Sequence, residues 1–296
     1  MKQARAYFSG RHNIMAVIET KSLTYTYPGA SHPSISDVSL KIEKGQFVLI
    51  TGPSGCGKTT LCRTFNGLIP QFYQGELKGQ ITVAELDAAK HPTFEMAKHV
   101  GLVFQNPENQ LFALSVEKDV AFGLENLGFE REEMRKRVDW ALNLTGIYDL
   151  RERSPHEMSG GQQQRVAIAA VLAMQPEIIV LDEPTSFLDP LSAQKIFEVI
   201  HKFNKELGIT VVLVEHRLDL TAKYADHIII MDQGKVRFDG NTREVLSKEE
   251  TRLIGVGIPK ATLLYEMLQK EDANLGDTIP LSSDELAEIL QEALRR

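Results

Sequence analysis

The sequence predicts an α/β protein with a mostly parallel sheet, on three observations. Short apolar runs suited to buried strands alternate with stretches that carry apolar residues at helical spacing. A glycine-rich turn joins one such run directly to a helix-forming stretch. A wholly helical block interrupts the alternation in mid-chain. Strands alternating with helices build βα units, which cover both faces of a parallel sheet.

From the N-terminus, residues 1–14 read as an extension. Met1 to Asn13 is polar, carries three basic residues and lacks the apolar middle of a secretory signal. Patterned sequence begins at Met15. Val17–Tyr27 and Ser34–Ile42 are β-rich runs, the second closing at Lys44-Gly45, and are expected to form an antiparallel β subdomain. Phe47–Thr51 is strand-like and leads through the glycine-rich turn into a helix from Lys58 to about Gly67. Val100–Phe104, Ile178–Leu181, Thr210–Val214 and His227–Met231 read as buried parallel strands, with helices near Pro190–Leu207 and Leu218–Tyr224.

Between Pro107 and Ala173 the pattern is helical: Ser115–Leu127, Arg131–Leu144 and Gly160–Ala173 form an expected inserted subdomain at about 107–175. One domain over 15–240 and a helical C-terminal region over 241–296 complete the organisation. In that region Ser282 and Glu285 spell a capping box ahead of Leu286, Ile289, Leu290 and Leu294, which share one face.

Composition narrows the function classes. The chain has 296 residues, 43% of them hydrophobic and 25% charged, so a sizeable core is available. A formal net charge of −7 with no long basic run argues against a nucleic-acid partner bound through a positive face. Two cysteines, Cys56 and Cys62, sit six residues apart, a spacing that suits neither a metal site nor a disulfide scaffold and points to a reducing compartment. No apolar stretch approaches the ~20 residues that span a bilayer. Work at a membrane would therefore need another chain to hold this one there.

The chemistry-bearing motifs begin with Gly52-Pro53-Ser54-Gly55-Cys56-Gly57-Lys58-Thr59, which fits G-x-x-x-x-G-K-[ST] after a strand and before a helix. Its glycines let backbone N–H groups turn inward on phosphate oxygens, and the helix adds its positive end. Lys58 would reach the β- and γ-phosphates, and Thr59 would offer its hydroxyl to Mg²⁺. Thr60, next in the helix, counts as a further nucleotide contact, and Cys56 reads as a small side chain tolerated in the loop. Ile178–Leu181 ends in Asp182-Glu183. A carboxylate at that strand end belongs on the magnesium shell, and the following Glu183 is placed to polarise an attacking water.

Met158-Ser159-Gly160-Gly161-Gln162-Gln163-Gln164-Arg165 is a capped helix start with two glycines, hence a second anion-binding helix end. One nucleotide does not need two such ends from one chain. The segment resembles the signature sequence of ATP-binding-cassette proteins, with Met158 where Leu is more usual. The resemblance spans about Val17–Gly240 and implies a P-loop ATPase fold whose signature end contacts the ATP held by a second cassette, identical or paralogous.

Other positions match that family in order. Tyr27, in Tyr25-Thr26-Tyr27-Pro28, matches the aromatic that stacks on adenine, while Tyr25 reads as core. Gln105 matches the glutamine joining the metal site to the helical subdomain. Asp189, in Ser186-Phe187-Leu188-Asp189, matches the acid of the loop that crosses the dimer interface. His216 matches the histidine that contacts γ-phosphate.

Gln105-Asn106-Pro107-Glu108-Asn109-Gln110-Leu111-Phe112 and Ser115-Val116-Glu117-Lys118-Asp119-Val120-Ala121-Phe122-Gly123 are similar to the ATPases of energy-coupling factor transporters, the cobalt, nickel and vitamin importers. This implies a transmembrane partner whose coupling helices contact Asn106–Leu114. A substrate-capturing membrane subunit would be engaged indirectly, and this chain would sit on the cytoplasmic face of the cell membrane, held there by its membrane partner. The C-terminal helices, including Gly255–Pro259, resemble that group's tail, which helps hold the ATPase pair together. Rival readings are another transporter class, or a soluble cassette ATPase of DNA maintenance or the ribosome. The former soluble kind carries a long coiled coil between P-loop and signature, where this chain has only about a hundred residues; the latter normally holds two cassettes, where this chain has one.

Overall fold

The computed structural model describes residues 16–271 and 275–295. The expected extension, residues 1–14, and Met15 lie outside the described residues. In chain order the strands are β1 (Ala16–Thr26), β2 (Ile35–Glu43), β3 (Phe47–Thr51), β4 (Glu76–Val83), β5 (Leu86–Asp87), β6 (Val100–Val103), β7 (Ile178–Asp182), β8 (Thr210–Val214), β9 (His227–Asp232) and β10 (Lys235–Asn241). The helices are α1 (Lys58–Phe65), α2 (Leu68–Gln71), α3 (Thr93–Met96), α4 (Val116–Asn126), α5 (Arg131–Leu144), α6 (Gly160–Met174), α7 (Pro190–Leu207), α8 (Leu218–Thr221), α9 (Thr242–Leu246), α10 (Glu249–Leu253), α11 (Lys260–Lys270) and α12 (Ser283–Leu294).

Two sheets form. One has the order β2-β1-β4-β5 and is antiparallel throughout. The other has the order β10-β9-β3-β8-β7-β6, parallel except for β10 on its edge. Every residue of β3, β7 and β8 is buried, as strands covered on both faces must be. The pleat sends alternate residues to two cores. Val48, Ile50, Val212 and Val214 face α1 and the antiparallel sheet, joining Leu61, Phe65, Ile18 and Tyr25. Phe47, Leu49, Val211 and Leu213 face the opposite way, joining α6 and α7 through Val171, Ile196 and Phe197. Helices α4, α5 and α6 lie between β6 and β7 in the chain, where the helical insertion was expected.

Several boundaries differ from the sequence reading. The first helix stops at Phe65 because Gly67 adopts φ +74°, outside helical backbone. The Leu218–Tyr224 stretch is α8 followed by a 3₁₀ turn at Ala222–Tyr224. β4 was not predicted: of its eight residues only Ile81 and Val83 are buried, too few to spell a strand period. β10 escaped for a similar reason, with none of its residues fully buried.

The tail from Thr242 is helical in four pieces, but Gly255–Pro259 is an irregular connector. The Ser282 capping box is half made. Ser282 Oγ accepts from Glu285 N–H at 3.3 Å, whereas the Glu285 carboxylate turns to Leu281 N–H and Arg243. Leu286 is buried and Ile289 and Leu290 pack beside it, but Leu294 is 87% exposed. Among the described residues no helix is long and apolar enough to cross a membrane.

Candidate nucleotide site

The site is built where four parallel strands end: β3, β6, β7 and β8. β3 runs into the loop 52–57, which demands glycine on steric grounds. Gly52 and Gly57 hold φ +144° and +105°, and a Cβ there would sit 2.0 Å from Met231 O and 2.5 Å from Ser34 O. Only a residue without Cβ fits those approaches. The loop opens α1 at Lys58 with no side-chain cap, so the first N–H groups of the helix are left for a ligand. Lys58 curls over the loop, its Nζ donating at 2.9 Å to both Gly52 O and Pro53 O. Cys56 lies buried beneath it with Sγ 3.8 Å from Nζ, and burial pushes its thiol pKa up. A cavity of about 300 Å³ lies over this cradle, lined by Ser54, Gly55, Lys58, Thr59, Gln105 and Glu183.

Asp182, the last residue of β7, is 4% exposed. Burial pushes its carboxyl above the ordinary range, opposed by a hydrogen bond from Thr59. Its Oδ1 has no protein partner. A buried carboxylate oxygen left unpaired beside a threonine hydroxyl fits a hard divalent cation, which takes oxygen ligands.

Glu183 follows in a left-handed conformation, φ +48°, with its N–H bound to Val214 O. Its carboxylate gathers three partners. Gln105 Nε2 donates to Oε2 at 2.8 Å, His216 Nε2 lies 3.2 Å from Oε1, and Ser186 Oγ donates to Oε2 at 3.3 Å. Lys58, Thr59, Gln105, Asp182, Glu183 and His216 are thus brought to one place. Ser186 was missed as a partner of Glu183, because a serine three residues on gives no sequence signal apart from its loop.

Tyr27 reaches the cradle from β1: its hydroxyl meets Thr60 Oγ1 at 3.3 Å and accepts from Arg63 at 3.2 Å. The ring stands edge-on to Tyr25, centroids 4.8 Å apart. Tyr25 is core, as expected. Asp189 caps α7, Oδ1 accepting from Leu191 and Ser192 N–H at 3.0 Å each, and hydrogen bonding from Ser192 holds its carboxyl low.

The helix end at Ser159 is fully formed but stands elsewhere. Ser159 Oγ accepts from Gln162 N–H, and Gln162 Oε1 accepts from Ser159 N–H at 3.0 Å. Gly160 and Gly161 rest against Phe187 and Leu188. Ser159 is exposed, and none of residues 159–162 lines the cavity over Lys58.

Against known proteins, the family model described as "ABC transporter" matches residues 35–186. The chain belongs to the ABC transporter family. An energy-coupling factor transporter ATP-binding protein, EcfA1 of Caldanaerobacter subterraneus, is 43% identical over 93% of this chain and 98% of its own length. The solved structure of CbiO1 from Clostridium perfringens, described as part of the ABC transporter complex CbiONQ, superposes with a TM-score of 0.70 at 36% identity, covering 85% of this chain and 99% of that one. A dimeric ATP-binding cassette in a post-hydrolysis state, bound to ADP and Pi, gives a TM-score of 0.69 at 31% identity over 76% and 99%. The fold is that of an ABC ATPase, and with it come ATP binding and the role of transporter ATP-binding subunit.

Proposed function

We propose that this subunit powers a membrane importer of the energy-coupling factor type, for a vitamin or transition-metal ion. Two cassettes, identical or paralogous, would close head to tail on two ATP molecules. One observation carries the dimer: the chain has two anion-binding helix ends, and the Ser159 end does not reach its own Lys58 cradle. A second copy, turned head to tail, can bring Ser159–Gln162 to the γ-phosphate instead.

Lys58 and the loop amides bind the β- and γ-phosphates, and the nearby Thr60 and Tyr27 receive the rest of the nucleotide. Thr59 and Asp182, with Gln105, would hold Mg²⁺, which supplies neutralisation of phosphate charge. Glu183 orients a water and takes its proton, while His216 steadies the γ-phosphate. Gln105 and His216, one on each carboxylate oxygen, fix the direction in which Glu183 presents its lone pairs.

The membrane partner is assigned to a groove beside the site. It measures about 450 Å³ and is lined by Phe72, Tyr73, Phe104, Gln105, Asn106 and Asn109. Phe112 and Leu114, in the segment that follows Asn109, are 58% and 82% exposed. Gln105 belongs to both cavities, so a partner moving in the groove would act on the residue that holds Glu183.

The test is specific activity against concentration. With saturating Mg²⁺–ATP the rate per subunit should fall on dilution through the measured self-association constant, or the pairing constant with a paralogue. A rate that stays flat well below that constant refutes the sandwiched arrangement. Co-purification with a polytopic membrane subunit, lost on charging the exposed segment after the groove with Phe112→Asp, tests the importer assignment.

A further inference from the structure

The mechanism leaves one buried side-chain pair unused. Thr185 and Glu215 are 0% and 4% exposed, and the Thr185 hydroxyl donates to Glu215 Oε2. The other oxygen, Oε1, accepts from the backbone N–H of His216 at 2.9 Å and of Arg217 at 3.3 Å. Thr185 stands two residues after Glu183, and Glu215 immediately precedes His216. The carboxyl group therefore ties the loop that carries the water-polarising acid to the loop that carries its histidine partner. Arg217 adds a second tie, donating to Leu188 O at 3.3 Å.

We infer that Glu215 and Thr185 are positioning residues for hydrolysis: their bridge sets the 3.2 Å approach of His216 to Glu183. The geometry favours this over a merely local cap. β7 and β8 are already registered, Asp182 against Val214, so the sheet fixes where each loop starts. Glu183 N–H is still held by Val214 O at 3.0 Å, but the backbone turns left-handed at Glu183, and His216 lies past the strand end. Neither strand alone then dictates the gap between the two side chains; the Thr185–Glu215 bridge spans it, with the Arg217 tie to Leu188 O beside it. A buried carboxyl with all its contacts made holds geometry well, because any movement leaves a polar group unpaired.

The inference rests on Glu183 and His216 acting as proposed above, and variants separate the two claims. Thr185→Val keeps shape and removes the hydroxyl. It should lower kcat by about tenfold or more, the scale of a misplaced catalytic group, while KM for ATP and nucleotide affinity stay within about threefold. Thr185→Ser should restore kcat. Glu215→Gln can still accept from both backbone N–H groups and donate to the Thr185 hydroxyl, so it should retain kcat within about threefold even if the valine variant proves unstable. Wild-type kcat in Thr185→Val, or a tenfold loss in Glu215→Gln, overturns the inference. Should Glu183→Gln and His216→Ala both hydrolyse ATP normally, the catalytic assignment itself falls; should they fail while Thr185→Val does not, only the bridge does.

Discussion

Replacing Glu183 by Gln is the most discriminating change available, because the structure says which properties survive it. The carboxylate accepts from Gln105 Nε2 and Ser186 Oγ on Oε2 and faces His216 Nε2 from Oε1. A glutamine carbonyl can keep the first two contacts and its amide can donate to the imidazole, provided that nitrogen is unprotonated. Glutamine tolerates the φ of +48° about as well as glutamate does, since the two backbones differ in nothing.

Stability should therefore change by no more than about 1 kcal/mol, the net worth of one hydrogen bond. Nucleotide affinity should hold, because Lys58 and the loop amides are untouched. What disappears is the ability to take a proton from water. General-base catalysis contributes roughly 10²–10⁴-fold. At about 1.36 kcal/mol per decade, the barrier should rise by about 3–5 kcal/mol. The assay is single-turnover ATP hydrolysis beside nucleotide titration, with size-exclusion in ATP to detect the trapped closed dimer. Hydrolysis within about threefold of wild type, with binding intact, would remove Glu183 from its role.

Three further outcomes follow from named contacts. Lys58→Ala removes the ammonium that crowns the loop, and titration with ATP should show at least about a tenfold weaker affinity, given charge-assisted contacts worth ~1.5–3 kcal/mol. Ser159→Ala deletes the cap of α6 and should lower stability by about 1 kcal/mol in denaturant melts. In the same variant ATP hydrolysis should fall while ATP titration of the dilute subunit stays unchanged, if the signature end serves the partner's nucleotide in the proposed dimer. Asp119 accepts from Phe112 and Ala113 N–H at 3.2 Å each, anchoring the exposed segment proposed to meet the membrane partner, so Asp119→Asn should cost ~1–3 kcal/mol and weaken capture of the membrane subunit more than basal hydrolysis. Burial raises the folded pKa of Asp119. Its ionisation thus opposes folding: the cost is absent below the ordinary aspartate pKa and grows as pH rises through the folded value. Wild-type stability should accordingly decline relative to Asp119→Asn across that acidic window, and the reverse slope would contradict the assignment.

The parts of the site that were legible in the sequence are those encoded by contiguous residues. Gly52–Thr59 could be read because steric demands fall on fixed offsets of one loop, and Asp182-Glu183 because an apolar run aims them. Gln105 and His216 were reached only through family likeness, since a lone Gln or His at a strand end has no period of its own. Contacts set by how a loop turns back on itself or by where separate elements meet were not legible. Ser186 on Glu183, and Tyr27 engaged by Thr60 and Arg63, depend on where β1, α1 and the segment after β7 come to lie. The same limit explains β4 and β10: strands that bury few side chains lean on their neighbours' hydrogen bonds, which sequence period does not display.

The loop from Glu183 to Asp189 explains how two composite sites could act as one machine. Its first residue is the proposed base, its serine braces that base, and its Phe187 and Leu188 support Gly160 and Gly161 at the signature end. In the closed pair, that signature end would touch the partner's ATP while Glu183 faces this chain's own. Loss of γ-phosphate from one nucleotide would therefore be felt, through seven residues of loop, at the base serving the other. Phe187→Ala, which removes the packing under Gly160 without touching either phosphate cradle, should lower the cooperativity of hydrolysis with ATP concentration more than it lowers ATP affinity. An unchanged Hill coefficient alongside normal dimer formation would mean that the two sites communicate by another route.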